Sequence, residues 1–399
     1  MRSTRPARWV MPLALASALV LTACSNDSSS DNSGSGSGLG GSGGGETYKI
    51  AFQGPLSGDN QQLGIYEVNG AALAVKQANE SGDLDFELEL VRADDQGDPA
   101  IAPTAAAQVL QDEAVLGVVG PAFSGATNSV ATTYGDADLA MISPSATNDT
   151  LTKSGYPTFH RVVPPDSLEG SLLADYLGTK GYRKVVVIDD LSDYGKGVAD
   201  TVQATLEKAG VQVQRLGVDA ETTDYGATAT TAASAGAQAL FYGGYDAQAS
   251  QLARALQAAG FTGDKYTGNG GKSVVFTQGA GPAGDGWYFS CGCADAVTAP
   301  AAQDFAKAYK AEYGSEASTY SPEAYDATNA LIEAIKTAAE DGEPTRASVT
   351  EAVDGLDYEG ITTTVAFDES GELEAESQVI NLFQQKGGVI TTLGNIKEQ

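Results

Sequence analysis

Two loops of small hydroxyl residues and two loops bearing tyrosine carry most of the chemistry this chain can offer. Gly120-Pro121-Ala122-Phe123-Ser124-Gly125-Ala126-Thr127 follows the apolar run Val115 to Val119 and opens a helical stretch. Free backbone N–H groups and the positive end of a helix favour a carboxylate there, and the Ser124 hydroxyl adds a donor. Taken alone, Ser124 would read as an ordinary helix cap. One strand later a second loop of the same kind, Ser143-Pro144-Ser145-Ala146-Thr147, sets Thr147 and nearby amides on the same rim, and the pair indicates a shared anion site. The tyrosine loops are Asp190-Leu191-Ser192-Asp193-Tyr194-Gly195-Lys196-Gly197 and Phe241-Tyr242-Gly243-Gly244-Tyr245-Asp246. Core packing is the commoner role of any single tyrosine. Tyr194 and Tyr245 stand out because both lie just past an apolar run, where a ring with a polar tip suits a closing cleft.

The elements that must hold these loops follow from alternation. Tyr48 to Phe52, Phe86 to Val91, Val115 to Val119 and Leu139 to Ile142 read as strands, with helices over Leu63 to Asn79 and Ile101 to Leu110. After Val163-Pro164-Pro165-Asp166 the pattern restarts. Strands over Lys184 to Ile188, Val211 to Val218 and Ala239 to Tyr242 alternate with helices over Ala199 to Lys208, Tyr225 to Ala233 and Ala247 to Ala258. Such alternation implies βαβ units, parallel sheets and helices on both faces. In open α/β sheets ligands bind beyond the carboxyl ends of strands, where all four loops fall. A third section has helices from Ala301 to Glu312 and Pro322 to Ala339, then strands near Thr362 to Phe367 and Gln378 to Phe383 that must return to the earlier sheets. Two sheets joined by more than one crossing strand make hinged lobes with a cleft between.

Composition excludes several function classes. The chain has 23 Lys and Arg against 52 Asp and Glu, a net charge of −29, which disfavours nucleic acid and anionic lipid headgroups. Solubility explains most of that charge. His160 is the single histidine, so a histidine-based triad or metal cluster has little to draw on. Cys291-Gly292-Cys293 reads as an oxidised local staple in an exported protein. Gly271-Lys272-Ser273 resembles the end of a phosphate-binding loop, but Tyr266 stands where that motif needs glycine. No cofactor is expected. A paired-carboxylate hydrolase stays open at this stage, since acids are abundant.

Export itself is legible at the amino end. Arg2, Arg5 and Arg8 precede an apolar run from Trp9 to Leu21, and Leu21-Thr22-Ala23-Cys24 has the small residues and cysteine of a bacterial lipoprotein signal. The run is shorter than the ~20 apolar residues of a membrane-spanning helix. Residues 1–23 are therefore expected to be removed, Cys24 to be lipidated, and residues 24–45, rich in Ser and Gly, to serve as a flexible tether. The cut removes three arginines and no acid, leaving a charge of −32.

Gly54-Pro55-Leu56-Ser57-Gly58, Asp94-Asp95 with Asp98-Pro99, the two hydroxyl loops, Asp193-Tyr194-Gly195 and Tyr242-Gly243-Gly244-Tyr245 lie in one order along the body. Together they resemble the leucine/isoleucine/valine-binding protein family, solute receptors of amino-acid ABC importers. The resemblance implies an α/β fold of two Rossmann-like lobes, the type I periplasmic binding protein fold, joined by three hinge crossings. Lobe 1 would comprise residues 46–163 and 294–366, and lobe 2 residues 164–293 and 367–399. The crossings would fall near Val163-Pro164, Cys291 to Ala294 and Ala366 to Asp368. Ser124 and Thr147, with the backbone of Ser145, would hold the carboxylate and ammonium of an amino acid, branched-chain or otherwise apolar. Tyr194 and Tyr245 would close over it, and the partners would be the transmembrane subunits of an ABC permease, served by a monomeric, lipid-anchored receptor without catalysis.

Three departures bear on the ligand. The family's receptors pair the ammonium with an acid on the second lobe, and here Gly268-Asn269-Gly270-Gly271 offers Gly270, so Asp193, Asp246 or Asn269 must substitute, or the ligand is an amide, urea or an aromatic acid. Leu63 stands where an aromatic ring is expected. Gly97 and Phe123 replace the family's first-lobe cysteines, and Phe123 beside Ser124 would narrow the side-chain pocket.

Overall fold

The computed structural model describes residues 46–399; the signal, Cys24 and the tether lie outside them. The first sheet is built from β1 (Thr47–Gly54), β2 (Glu87–Asp94), β3 (Val115–Val119), β4 (Ala140–Ser143) and β5 (Phe159–Arg161). Its strands pair in parallel in the order β2-β1-β3-β4-β5. All five residues of β3 and all four of β4 are buried, as expected for central strands covered on both faces. The helices between them are α1 (Gln61–Ser81), α2 (Ala102–Leu110), α3 (Ser124–Gly135) and the single turn α4 (Thr150–Lys153). Because β1 is followed to one side by β2 and to the other by β3, the strand order reverses at Gly54 and Gly120. That crevice is where a parallel sheet presents a ligand site.

The second sheet repeats the design. After α5 (Asp166–Thr179) come β6 (Lys184–Asp189), α6 (Asp193–Lys208), β7 (Gln212–Gly217), α7 (Gly226–Ser234), β8 (Ala239–Gly243), α8 (Asp246–Ala258), β9 (Asp264–Thr267), α9 (Val274–Ala280) and β10 (Trp287–Cys291). The chain then forms α10 (Gln303–Tyr313), α11 (Ser321–Glu340), α12 (Arg346–Asp354), β11 (Asp357–Glu359), β12 (Thr364–Ala366), β13 (Asn381–Lys386) and β14 (Val389–Asn395). The sheet order is β14-β13-β10-β9-β8-β6-β7, with β13 and β14 added antiparallel at one edge. Its order reverses between β6 and β8, at Asp190 and Gly244, so both sheets end their switch points in loops of the kind singled out above.

The chain passes between the sheets at residues 162–165, 292–302 and 367–380. Helices α11 and α12 return to the first sheet, where Ala324, Ala327, Leu331 and Ile335 share a core with Ile50, Phe52 and Ile142. Helix α1 lies against α11 so closely that a Cβ on Gly70 would sit 2.1 Å from the Ser321 carbonyl oxygen, which only glycine permits. Cys291 and Cys293 are joined in a disulfide beside the second passage, both buried.

Several elements differ from expectation. Helix α5 escapes a periodicity reading because it buries Asp166 and Glu169 on its core face. Strand β12 joins neither large sheet; it pairs with β11 alone in a two-stranded antiparallel unit. Strands β9, β10 and β14 and helix α12 are likewise absent from the pattern: β9 is four residues with a polar start, β10 lies inside the sheet between β9 and β13, β14 forms a sheet edge, and α12 comes late in the chain. No helix among the described residues is long and apolar enough to cross a membrane.

Candidate functional site

The cavity between the two switch points is lined by Leu63, Glu67, Ala122, Phe123, Ser124 and Ser145 from the first half, by Tyr194, Tyr245, Asn269 and Gly270 from the second, and by Tyr320. The lining side chains nearly fill it, leaving about 10 Å³, close to the space of a single water.

Ser124 is the first residue of α3, so the unpaired N–H groups of that helix point toward the cavity end it occupies. Its Oγ accepts a hydrogen bond from the Asn148 backbone N–H at 3.2 Å, which ties the two hydroxyl loops together and leaves the hydroxyl hydrogen free to donate. The Ser145 hydroxyl donates to the Ala122 carbonyl at 2.7 Å. Behind the second loop, the fully buried Arg161 donates to the carbonyls of Ala146 and Asn148 at 3.2 and 2.9 Å and pairs with Glu372. This guanidinium holds those two carbonyls of the loop on its inner side. Thr147 is buried but does not line the cavity; its carbonyl accepts from the Asp166 N–H at 2.8 Å.

On the opposite wall, Ser192 caps α6 by accepting from the Gly195 N–H at 2.9 Å, and this fixes Tyr194 in the first turn. Tyr245 immediately precedes α8. Its ring stacks on Phe123 at 4.1 Å and 14° and leans on Tyr194 at 5.3 Å. The three rings therefore form a continuous row from one half to the other. Burial holds the Tyr194, Tyr245 and Tyr320 phenols well above their usual range, so all three stay neutral.

Gly270 explains why no acid projects from its loop. The Gly270 N–H donates to the Tyr194 hydroxyl at 3.1 Å, and a Cβ there would lie 2.6 Å from Tyr194 Cε1. Tyr194 occupies the space a side chain would need. The three suggested substitutes are each engaged otherwise. Asn269 donates from its amide and its backbone N–H to Glu169, which also accepts from Ser290. Asp246 binds the Ser273 hydroxyl and the Ala247 N–H. Asp193 faces Asn128 at 3.4 Å, while its carbonyl accepts from the Asn148 side chain at 2.6 Å, contacts that link the two halves at the rim.

The sequence pattern of the periplasmic binding protein family matches residues 47–387. The chain belongs to this family. It is 31% identical over 336 residues to the leucine-, isoleucine-, valine-, threonine- and alanine-binding protein of Pseudomonas aeruginosa, covering 82% of this chain and 88% of the relative. It is 31% identical to the Leu/Ile/Val-binding protein homolog 3 of Brucella melitensis, covering 85% of this chain and 91% of that one. Among solved structures, the substrate-binding protein of a branched-chain amino acid transporter from Streptococcus pneumoniae, in complex with isoleucine, superposes with a TM-score of 0.79 at 28% identity, covering 88% of this chain and all of that one. The fold is the type I periplasmic binding protein fold.

Within that fold two cavity residues escaped sequence reasoning. Glu67 lies inside α1 between Tyr66 and Val68, and a lone acid in a helix ordinarily reads as a solvated position. Tyr320 precedes α11 with φ of +64° and a hydroxyl that finds no partner. A left-handed, non-glycine residue at a cleft is a mark of function, but nothing in the flanking Thr319 and Ser321 signals it. His160 sits away from the site, its Nε2 3.0 Å from Asp354. Among the described residues no group of three or more His, Cys, Asp or Glu could hold a metal.

Proposed function

We propose that this periplasmic binding protein is an extracytoplasmic, lipid-anchored receptor that captures an apolar amino acid, branched-chain by preference, and delivers it to the transmembrane subunits of an ABC permease. Cys24 carries the lipid, residues 24–45 form the tether, and the receptor acts as a monomer without turnover. The lobes comprise residues 46–163 with 294–366 and 164–293 with 367–399, hinged at the three passages. The observation that supports this reading best is one small cavity that joins the amino end of α3 to an aromatic wall. Ser124 and the first-turn amides receive the carboxylate, with Ser145 beside them. Phe123, Tyr194 and Tyr245 enclose the side chain, and Gly270 leaves room for Tyr194. Thr147 acts from behind, through the loop it belongs to. Closure is driven only by contacts stronger in the closed state than the open one, which the second-lobe tyrosines supply.

Gly270 favours a second reading, a receptor for amides, urea or aromatic acids, because the usual acid is missing from that loop. Thermal shift of the purified full-length chain in detergent against amino acids, simple amides, urea and aromatic acids separates the two, since a ligand bound only by the native state raises the midpoint. A rise with leucine, isoleucine or valine is expected. A rise only with amine-free compounds would replace the first reading by the second.

A further inference from the structure

We infer that the carboxyl group of Glu67, entering the cleft from the first lobe, is the counter-charge for the ligand's ammonium. The inference rests on the amino-acid reading above and assigns that reading's missing partner. Glu67 is 1% exposed, lines the same cavity as Ser124, and its Oε2 has no hydrogen-bond partner. A buried carboxyl oxygen left without a donor is costly, and here it faces a space that a ligand donor can enter. No Lys, Arg or His lines the cavity, so the protein supplies no cation of its own to Glu67.

Elimination leads to the same residue. Glu169, nearest to the Gly270 loop, is saturated by Asn269 and Ser290. Asp246 is committed to Ser273, Asp193 stands at the rim, and Asp166 lies beside Thr147 outside the cavity lining. Glu67 is the one carboxyl group on the cavity wall. The amino end of α3 and Glu67 line the same small cavity, which brings an anion site and an acid to one wall of it. Ligand selection by charge thus shifts from the second lobe to the first, and the amino acid is held at both polar ends before the tyrosines close.

A measurable consequence is proton release. Burial, with Asp95 and Glu323 adding to it, holds the Glu67 carboxyl well above the usual range, which favours the neutral acid in the free cleft. An arriving ammonium stabilises the carboxylate, and the proton leaves to solvent. A ligand with a methylene in place of the amine leaves the neutral acid as it was and releases nothing.

The test is titration calorimetry of the full-length protein in detergent at neutral pH, in two buffers of different ionisation enthalpy. The probes are L-leucine and 4-methylpentanoate, its amine-free counterpart. Leucine should bind with release of close to one proton, and 4-methylpentanoate at least tenfold more weakly with none. Glu67→Gln should weaken leucine about 10- to 100-fold, the loss of a charge-assisted bond, and abolish the release, while weakening 4-methylpentanoate by a far smaller factor. Leucine binding to the unsubstituted protein with less than a tenfold preference over 4-methylpentanoate overturns the assignment even if Glu67→Gln is too unstable to study. So does equal leucine affinity in both proteins, and in either case the amino-acid reading stands. Binding of 4-methylpentanoate with none of leucine overturns the amino-acid reading itself and the role of Glu67 with it.

Discussion

The Phe123 ring, carried just before α3, stacks on the Tyr245 ring, carried just before α8, with centroids 4.1 Å apart and planes within 14°. Each ring sits at the switch point of its own sheet, so the contact joins the two halves on the wall of the cavity. Such a pair contributes about 0.5–1.5 kcal/mol beyond its buried area. The Asn148 side chain, donating to the Asp193 carbonyl at 2.6 Å, adds a polar link at the same rim.

Phe123→Ala removes the stack and widens the cavity. A loss of about 1 kcal/mol from the closed state shifts an open–closed ratio about fivefold. The expected outcome is weaker leucine binding by about that factor, with a relative gain for phenylalanine, and a larger radius of gyration for the unliganded protein by small-angle scattering. Unchanged scattering with unchanged selectivity would show that Phe123 only fills space.

Ser124→Ala isolates the carboxylate end. The Ser124 oxygen already accepts from Asn148, so its hydrogen is the part available to a ligand. Its removal should cost about 1–3 kcal/mol of affinity for any carboxylate ligand, through a lost charge-assisted hydrogen bond. Calorimetry on the alanine variant checks this, and an unaltered dissociation constant would take Ser124 out of the site. The α3 amides remain in the variant, so binding should weaken rather than vanish.

What could be read from the sequence was mostly what repeats. Apolar runs such as Val115 to Val119 and Lys184 to Ile188 announce buried parallel strands, and the Gly, Ser and Tyr loops after them mark strand ends. Those loops do meet: Phe123, Ser124, Ser145, Tyr194, Tyr245 and Gly270 line one cavity, while Thr147 stays behind it. What remained hidden depends on tertiary position. Glu67 differs from a surface acid only because α11 covers the helix that carries it, and Asp166 and Glu169 spoil the amphipathic pattern of α5 by being buried. Tyr320 reaches the cavity through a left-handed backbone turn that no composition reveals. Arg161, which organises the second hydroxyl loop, reads locally as one polar residue in a three-residue strand.

Gly270→Glu tests whether the acid missing from the second lobe can simply be restored. The Cβ it introduces would sit 2.6 Å from the Tyr194 ring and 2.8 Å from the Gly244 carbonyl oxygen. Overpacking of this kind typically costs ~1–3 kcal/mol. The variant should bind leucine more weakly and show a lower thermal midpoint in its presence, because Tyr194 must leave its place. Tighter binding would mean that Tyr194 moves freely and that the loop accepts an acid after all.

The buried carboxyl groups predict an unusual dependence of stability on pH. Burial pushes Asp95, Asp190, Asp246 and Asp326 up to about 6, Glu169 to about 7 and Glu323 to about 8, with hydrogen bonds opposing the shift in each case. A carboxyl whose folded pKa is raised binds more protons folded than unfolded between its two pKa values. The slope of unfolding free energy against pH is then negative, so this contribution is fully present below about pH 4 and lost as pH rises through each folded pKa. The large negative charge acts in the same direction, since deprotonation adds to self-repulsion. The thermal midpoint of the unliganded protein should therefore be higher at pH 5.5 than at pH 8.5. Glu323→Gln should flatten the upper part of that curve selectively, because Glu323 has the highest of these values and its Oε1 accepts from the Ala294 N–H at 2.6 Å beside the second passage between the sheets. A midpoint that rises with pH over this range would mean that these carboxyls ionise freely in the folded state and that water reaches them through the hinge.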